Sequence, residues 1–164
     1  MFAYFVSRGR SLRKDLEIFV DGACRGNPGP AAIGVIICED GQAVKRISKE
    51  IGQATNNIAE YTALIYALQE ALILKASHVK VNTDSELMYQ QLTGRYKIRH
   101  EHLKPLFEQV RRLSSGFGSF EIKHIPREQN RDADKLATEA LKDKQVKMVA
   151  LASDAGEESP SSTG

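Results

Sequence analysis

Ile18-Phe19-Val20-Asp21-Gly22-Ala23-Cys24-Arg25-Gly26-Asn27-Pro28-Gly29-Pro30 is the stretch on which the fold turns. An apolar run that favours β-strand ends in a carboxylate, Asp21, and a segment rich in Gly and Pro follows at once. Three glycines and two prolines within Gly22–Pro30 let backbone amides approach a bulky group without Cβ clashes. Alone, Asp-Gly after a strand is an ordinary turn signal. Three further acids in comparable settings give it a second meaning.

Working outward, a first strand spans Leu16–Asp21, a buried second strand Ala31–Cys38, and a third Ala43–Ile51 after the turn signal Glu39-Asp40-Gly41-Gln42. Three strands joined this way form an antiparallel meander. The period then changes: Ile58, Tyr61, Ile65, Leu68 and Leu72 mark a long helix over Asn56–Leu74, widened by Ala63, Leu64, Ala67 and Ala71. A short strand Val79–Thr83 and a short helix Asp84–Leu92 follow. Glu101–Leu113 is a third helix, Phe120–Ile125 a fifth strand, and a last helix runs from Asn130 to about Leu151. The class is α/β: a five-stranded mixed sheet, its first three strands antiparallel, with helices on both faces.

The 164 residues suit one domain with a real core. The expected organisation is an N-terminal extension over 1–15, a main folded domain over 16–152, and a disordered acidic tail over 153–164. That tail holds Asp154, Glu157 and Glu158 and no Lys or Arg, so the net charge of +2 conceals +5 on the rest. A mildly basic body suits a polyanionic partner. Two cysteines, Cys24 and Cys38, exclude a disulfide framework, and no span reaches membrane length. A cytoplasmic monomer is expected, with no membrane association.

Asp21, Glu60, Asp84 and Asp134 all fall at strand ends or helix starts. Each has a purely structural alternative. Asn57-x-x-Glu60 has capping-box spacing, Thr83-Asp84-Ser85 offers cap chemistry, and Asp132 and Asp134 would favour a helix dipole. In a layered fold, however, these positions gather along one sheet edge, where four carboxylates raise one another's pKa unless cations neutralise them. Hard divalent cations suit oxygen ligands, and the lack of clustered His and Cys argues against zinc. Asn27, Thr55, Asn56, Asn57, Ser85 and Glu86 lie beside the acids, with polar groups suited to phosphates and sugar hydroxyls.

Four blocks, Asp21-Gly-Ala-Cys-Arg-Gly-Asn-Pro-Gly-Pro30, Thr55-Asn-Asn-Ile-Ala-Glu-Tyr61, Asn82-Thr-Asp-Ser85 and Asn130-Arg-Asp-Ala-Asp-Lys-Leu-Ala137, resemble the motifs of type 1 ribonuclease H in order and spacing. The resemblance covers about Leu16–Leu141. It implies a ribonuclease H-like fold and an endoribonuclease that cuts the RNA strand of RNA–DNA hybrids, leaving 5′-phosphate and 3′-hydroxyl ends. It further implies two Mg²⁺ ions, with Mn²⁺ as substitute, held by Asp21, Glu60, Asp84 and Asp134 with Asp21 bridging. Cys24, Asn27, Asn56, Asn57 and Glu86 match positions that read the minor groove and its 2′-hydroxyls, and Thr55 one that contacts a DNA phosphate.

Asp132 competes with Asp134, and the Ala-Asp-x-Leu-Ala pattern selects Asp134. Arg127 matches the catalytic Arg of archaeal-type members, with His124 the alternative. The basic helix that some members use to grip hybrids is missing, and Arg95, Tyr96, Lys97, Arg99, His100 and His102 stand in its place. A DNA-directed nuclease and a non-catalytic nucleic-acid-binding module on the same fold are the rival functions.

Overall fold

β1 (Asp15–Cys24) lies at the centre of the sheet. It pairs antiparallel with β2 (Gly29–Glu39), from Leu16 opposite Glu39 to Cys24 opposite Ala31. On its other side it runs parallel to β4 (His78–Thr83). β3 (Gln42–Ala54) flanks β2 and β5 (Ser119–His124) flanks β4, giving the order β3-β2-β1-β4-β5. The computed structural model describes residues 13–154.

Period-two alternation sends Leu16, Ile18 and Val20 to one face of β1, where they join Ile33, Val35 and Ile37 of β2. α1 (Asn56–Ile73) covers that face with Tyr61, Leu64 and Leu68, while Ala59, Ala63, Ala67 and Ala71 at four-residue spacing let it lie close. α3 (Lys104–Ser114) packs beside α1 through Val110, and α2 (Glu86–Leu92) follows β4. α4 (Arg131–Asp154) covers the opposite face through Ala133, Ala137, Ala140 and Leu141. With helices on both sides, β2 reads as an unbroken apolar run, because neither of its faces meets water.

Element identities follow the expectations, and several boundaries move. β1 continues three residues past Asp21, since Gly22, Ala23 and Cys24 find ladder partners in Ile33, Ala32 and Ala31. α2 starts at Glu86, leaving Asp84 ahead of it. α3 starts at Lys104, with Pro105 in the first turn, where a missing N–H goes unused. The β2–β3 turn carries Asp40 and Gly41 at φ 50° and 77°, the two positive angles that a two-residue hairpin loop demands. α4 reaches Asp154, two residues into the expected tail. Residues 1–12 of the N-terminal extension and residues 155–164 of the tail lie outside the described residues. Among the described residues no helix is long and apolar enough to cross a membrane.

Candidate active site

Two glycines let the site assemble. A Cβ on Gly22 would lie 2.6 Å from the backbone of Ala59 and Glu60, so the first turns of α1 rest directly on β1 beside Asp21. A Cβ on Gly34 would lie 2.0 Å from the Ala133 carbonyl oxygen, so α4 sits equally close on β2 with Asp134 in its first turn. Asp84 arrives from the end of β4, the strand parallel to β1. Asp21, Glu60, Asp84 and Asp134 therefore line one open cleft of about 350 Å³, together with Asn56 and Arg127.

The capping alternatives do not apply to Glu60 and Asp84. Thr55 caps α1, its hydroxyl accepting the Ile58 N–H at 3.2 Å, so Asn57 is not a cap and Glu60 closes no capping box. Ser85 caps α2 by accepting the Met88 N–H at 3.2 Å, and the Thr83 hydroxyl accepts the Ser85 N–H at 3.0 Å. Asp84 is left aimed at the cleft. Asp132 lines a different groove, with Cys38 and Lys135, and so separates from Asp134.

One carboxylate oxygen each from Asp21, Glu60 and Asp84 can be chosen so that all three lie within 4.8 Å of one another. Asp21 is 4% exposed, and burial, reinforced by the charge of Asp84 and a hydrogen bond with Asp134, pushes it up to about 8. Glu60 is also held well above the carboxylate range, by burial first and then by the charge of Asp21. Its Oε2 is buried without a hydrogen-bond partner. Crowded oxygen donors, mutual repulsion and an orphaned carboxylate oxygen are what a hard divalent cation would relieve, so the donor set fits such an ion.

The surrounding residues divide into groups. Asn56 lines the cleft, and its N–H donates to Asn27 Oδ1 at 3.1 Å, tying the glycine-rich loop to the start of α1. The Cys24 thiol donates to the carbonyls of Ala54, at 3.0 Å, and Gly26. Asn57 lines a separate groove of about 590 Å³ along with Arg95, Tyr96, Lys97, Arg99 and His100. Ser85 is engaged as a cap, and Glu86 opens α2 at the surface. The His124 ring stacks on Tyr89 with centroids 5.8 Å apart, whereas Arg127 lines the cleft from a short 3₁₀ turn, Arg127–Gln129.

In the sequence, Asn130 opens both the fourth block and the expected last helix. It is 1% exposed, and its Nδ2 donates to the Val20 carbonyl at 2.9 Å and to Asp84 Oδ1 at 3.4 Å. One amide thus ties the entry of α4 to β1 and to a cleft carboxylate. A polar residue before a helix reads as a cap, so the local sequence held no signal of this long-range role.

A five-stranded sheet in this order, carrying carboxylates from β1, α1, the end of β4 and α4 into one cleft, has the ribonuclease H fold. The family model described as Reverse transcriptase-like matches residues 19–140. Ribonuclease HI of Halobacterium salinarum is 44% identical over 129 residues, which cover 78% of this chain and 65% of that protein. The crystal structure of RNase H1 from Halobacterium salinarum NRC-1 superposes with a TM-score of 0.77 at 42% identity, covering 79% of this chain and 98% of the other. LC11-RNase H1, solved in complex with an RNA/DNA hybrid, gives 0.76 at 38% identity, covering 79% and 99%. The chain belongs to the type 1 ribonuclease H family.

Proposed function

We propose that the chain is an endoribonuclease that hydrolyses the RNA strand of RNA–DNA hybrids and leaves 5′-phosphate and 3′-hydroxyl ends. The observation that carries this reading is the cleft in which Asp21, Glu60, Asp84 and Asp134 converge. Asp21 interacts with each of the other three and is the natural shared ligand. These four carboxylates would hold two Mg²⁺ ions, or Mn²⁺ in their place, which supply Lewis-acid activation of water and neutralise charge at the departing 3′ oxygen. Asn130 holds Asp84 in position. Arg127 brings a cation to the cleft rim, where it can meet the scissile phosphate and help release the product.

Cys24, Asn27, Thr55, Asn56, Asn57, Ser85 and Glu86 lie at the same end of the sheet and are assigned to hybrid recognition, with 2′-hydroxyls separating RNA from DNA. Residues 16–152 form the catalytic domain in this reading, and the protein acts as a cytoplasmic monomer, in keeping with two free cysteines.

The test is cleavage of labelled hybrid beside double-stranded RNA and double-stranded DNA, with and without Mg²⁺. Hybrid alone should be cut, in its RNA strand, and only with the metal. Asp21→Asn and Asp84→Asn should abolish turnover while hybrid binding persists. Cutting of duplex DNA, or an Asp21→Asn protein as active as the parent, would overturn the reading.

A further inference from the structure

A second groove of about 330 Å³ opens beside the carboxylate cleft and shares Asn56, Arg127 and Asp134 with it. Its charge differs from that of the cleft. Two basic residues, Arg25 and Arg127, line it with a single acidic one, Asp134, and half-buried Thr138 adds a hydroxyl-bearing side chain to the lining. Thr138 follows Asp134 by four residues on α4 and so stands one turn above it on the same face. Ala23 and Leu141 supply apolar lining. Arg25 is set at the mouth of the β1–β2 connection, where its N–H donates to the Pro30 carbonyl at 2.8 Å.

We infer that this groove is a phosphate subsite that takes the RNA-strand phosphodiester next to the one being cut, with Arg25 and Thr138 as its own contacts and Arg127 shared with the cleft. Contiguity assigns the strand: a chain with one phosphate in the carboxylate cleft passes next into an adjoining groove on the same surface. Chemistry assigns the group. Two planar guanidiniums and a hydroxyl donor suit a diester's two anionic oxygens, whereas a nucleobase would find no aromatic face among the lining residues. The subsite also resolves an electrostatic difficulty, because a polyanion approaching four carboxylates needs a cationic hold close by.

The inference rests on the hybrid-cleavage reading, and its test separates the two. Steady-state cleavage and binding of labelled hybrid would be measured across a salt series for the parent, Arg25→Ala, Arg25→Lys and Thr138→Val, each first shown to melt like the parent. Arg25→Ala should raise KM about tenfold with kcat changed far less, and flatten the plot of log affinity against log salt by roughly 0.7–0.9, the slope of one lost phosphate contact. Arg25→Lys should restore the slope, because it restores the charge. Thr138→Val should raise KM and leave the slope unchanged.

RNA strands shortened stepwise from each end give the position. The parent should lose affinity at the step that removes the neighbouring phosphate, and Arg25→Ala should show no loss at that step. An Arg25→Ala protein with the parent's KM and salt slope, on a hybrid that the parent cuts normally, would overturn the subsite alone. A parent that neither binds nor cuts hybrid would overturn the functional reading and the subsite with it.

Discussion

Replacing Asp21 by Asn should make the protein more stable, in a manner that depends on pH. Asp21 is raised from 3.8 to about 8 in the folded chain. Between those values the folded state keeps a proton that the unfolded state has released, so unfolding free energy falls as pH rises through this window. The stabilising contribution is fully present below pH 3.8 and is gone above about 8. At 1.36 kcal/mol per pH unit, the part lost by pH 7 is about 4 kcal/mol. Asn keeps the size of Asp, carries no charge, and brings an N–H₂ that the neighbouring carboxylates can accept. If it recovers half of that sum, the gain is about 2 kcal/mol, or roughly 4–8 °C in Tm for a domain of this size. Thermal melts in chelator at pH 4 and pH 7 test this. The gain should appear at pH 7 and vanish at pH 4, and added Mg²⁺ should raise the parent's Tm at pH 7 far more than the variant's. An Asp21→Asn protein that melts no higher than the parent at pH 7, or gains equally at pH 4, would refute the claim that charge crowding strains the cleft.

Asn130→Ala removes the amide that bridges Val20 and Asp84 and should cost about 1–3 kcal/mol, seen as a Tm lower by several degrees; an unchanged melt would deny Asn130 its tethering role. Gly34→Ala places a methyl 2.0 Å from the Ala133 carbonyl oxygen, so α4 must shift, and urea titration should show about 1–3 kcal/mol of destabilisation or more. A normal midpoint would mean that α4 is held less tightly than the packing shows. His124→Ala should leave the cleavage rate close to the parent's, because the ring is occupied by Tyr89, while Arg127→Ala should slow it roughly ten- to hundredfold. The opposite ranking would move the catalytic cation to His124.

The helices and strands were legible because period and burial agree along them: Ile18 and Val20 alternate, and the apolar residues of α1 recur at helical spacing. The four carboxylates were legible for a related reason, since each falls near a change of sequence pattern, at the end of an apolar run or in the opening turns of a helix. What stayed hidden depends on partners distant in sequence. Gly22 reads as a strand breaker, yet it continues β1 because Ile33 pairs with it and α1 needs the space its missing side chain leaves. Asn57 and Thr55 both offer cap chemistry, and the path of the chain out of β3 decides for Thr55. Asn130 touches residues 110 and 46 positions away, contacts that no local pattern encodes.

The arrangement of charge follows from holding carboxylates in a partly buried cleft. Their repulsion makes the centre a binding site for cations and a poor one for an unaccompanied polyanion. The opposing charge lies on the flanks. Arg25 and Arg127 line the groove toward α4, and Arg95, Lys97, Arg99 and His100 line the groove that Asn57 enters. Under the proposed function, a nucleic acid held at both flanks would place an intervening phosphate over the carboxylates, where cations bound between the two would remove the repulsion on each side. Binding and chemistry would then depend on different charges. Salt should weaken the first by screening Arg25 and its counterparts, whereas chelation should stop the second while leaving the flanking contacts intact.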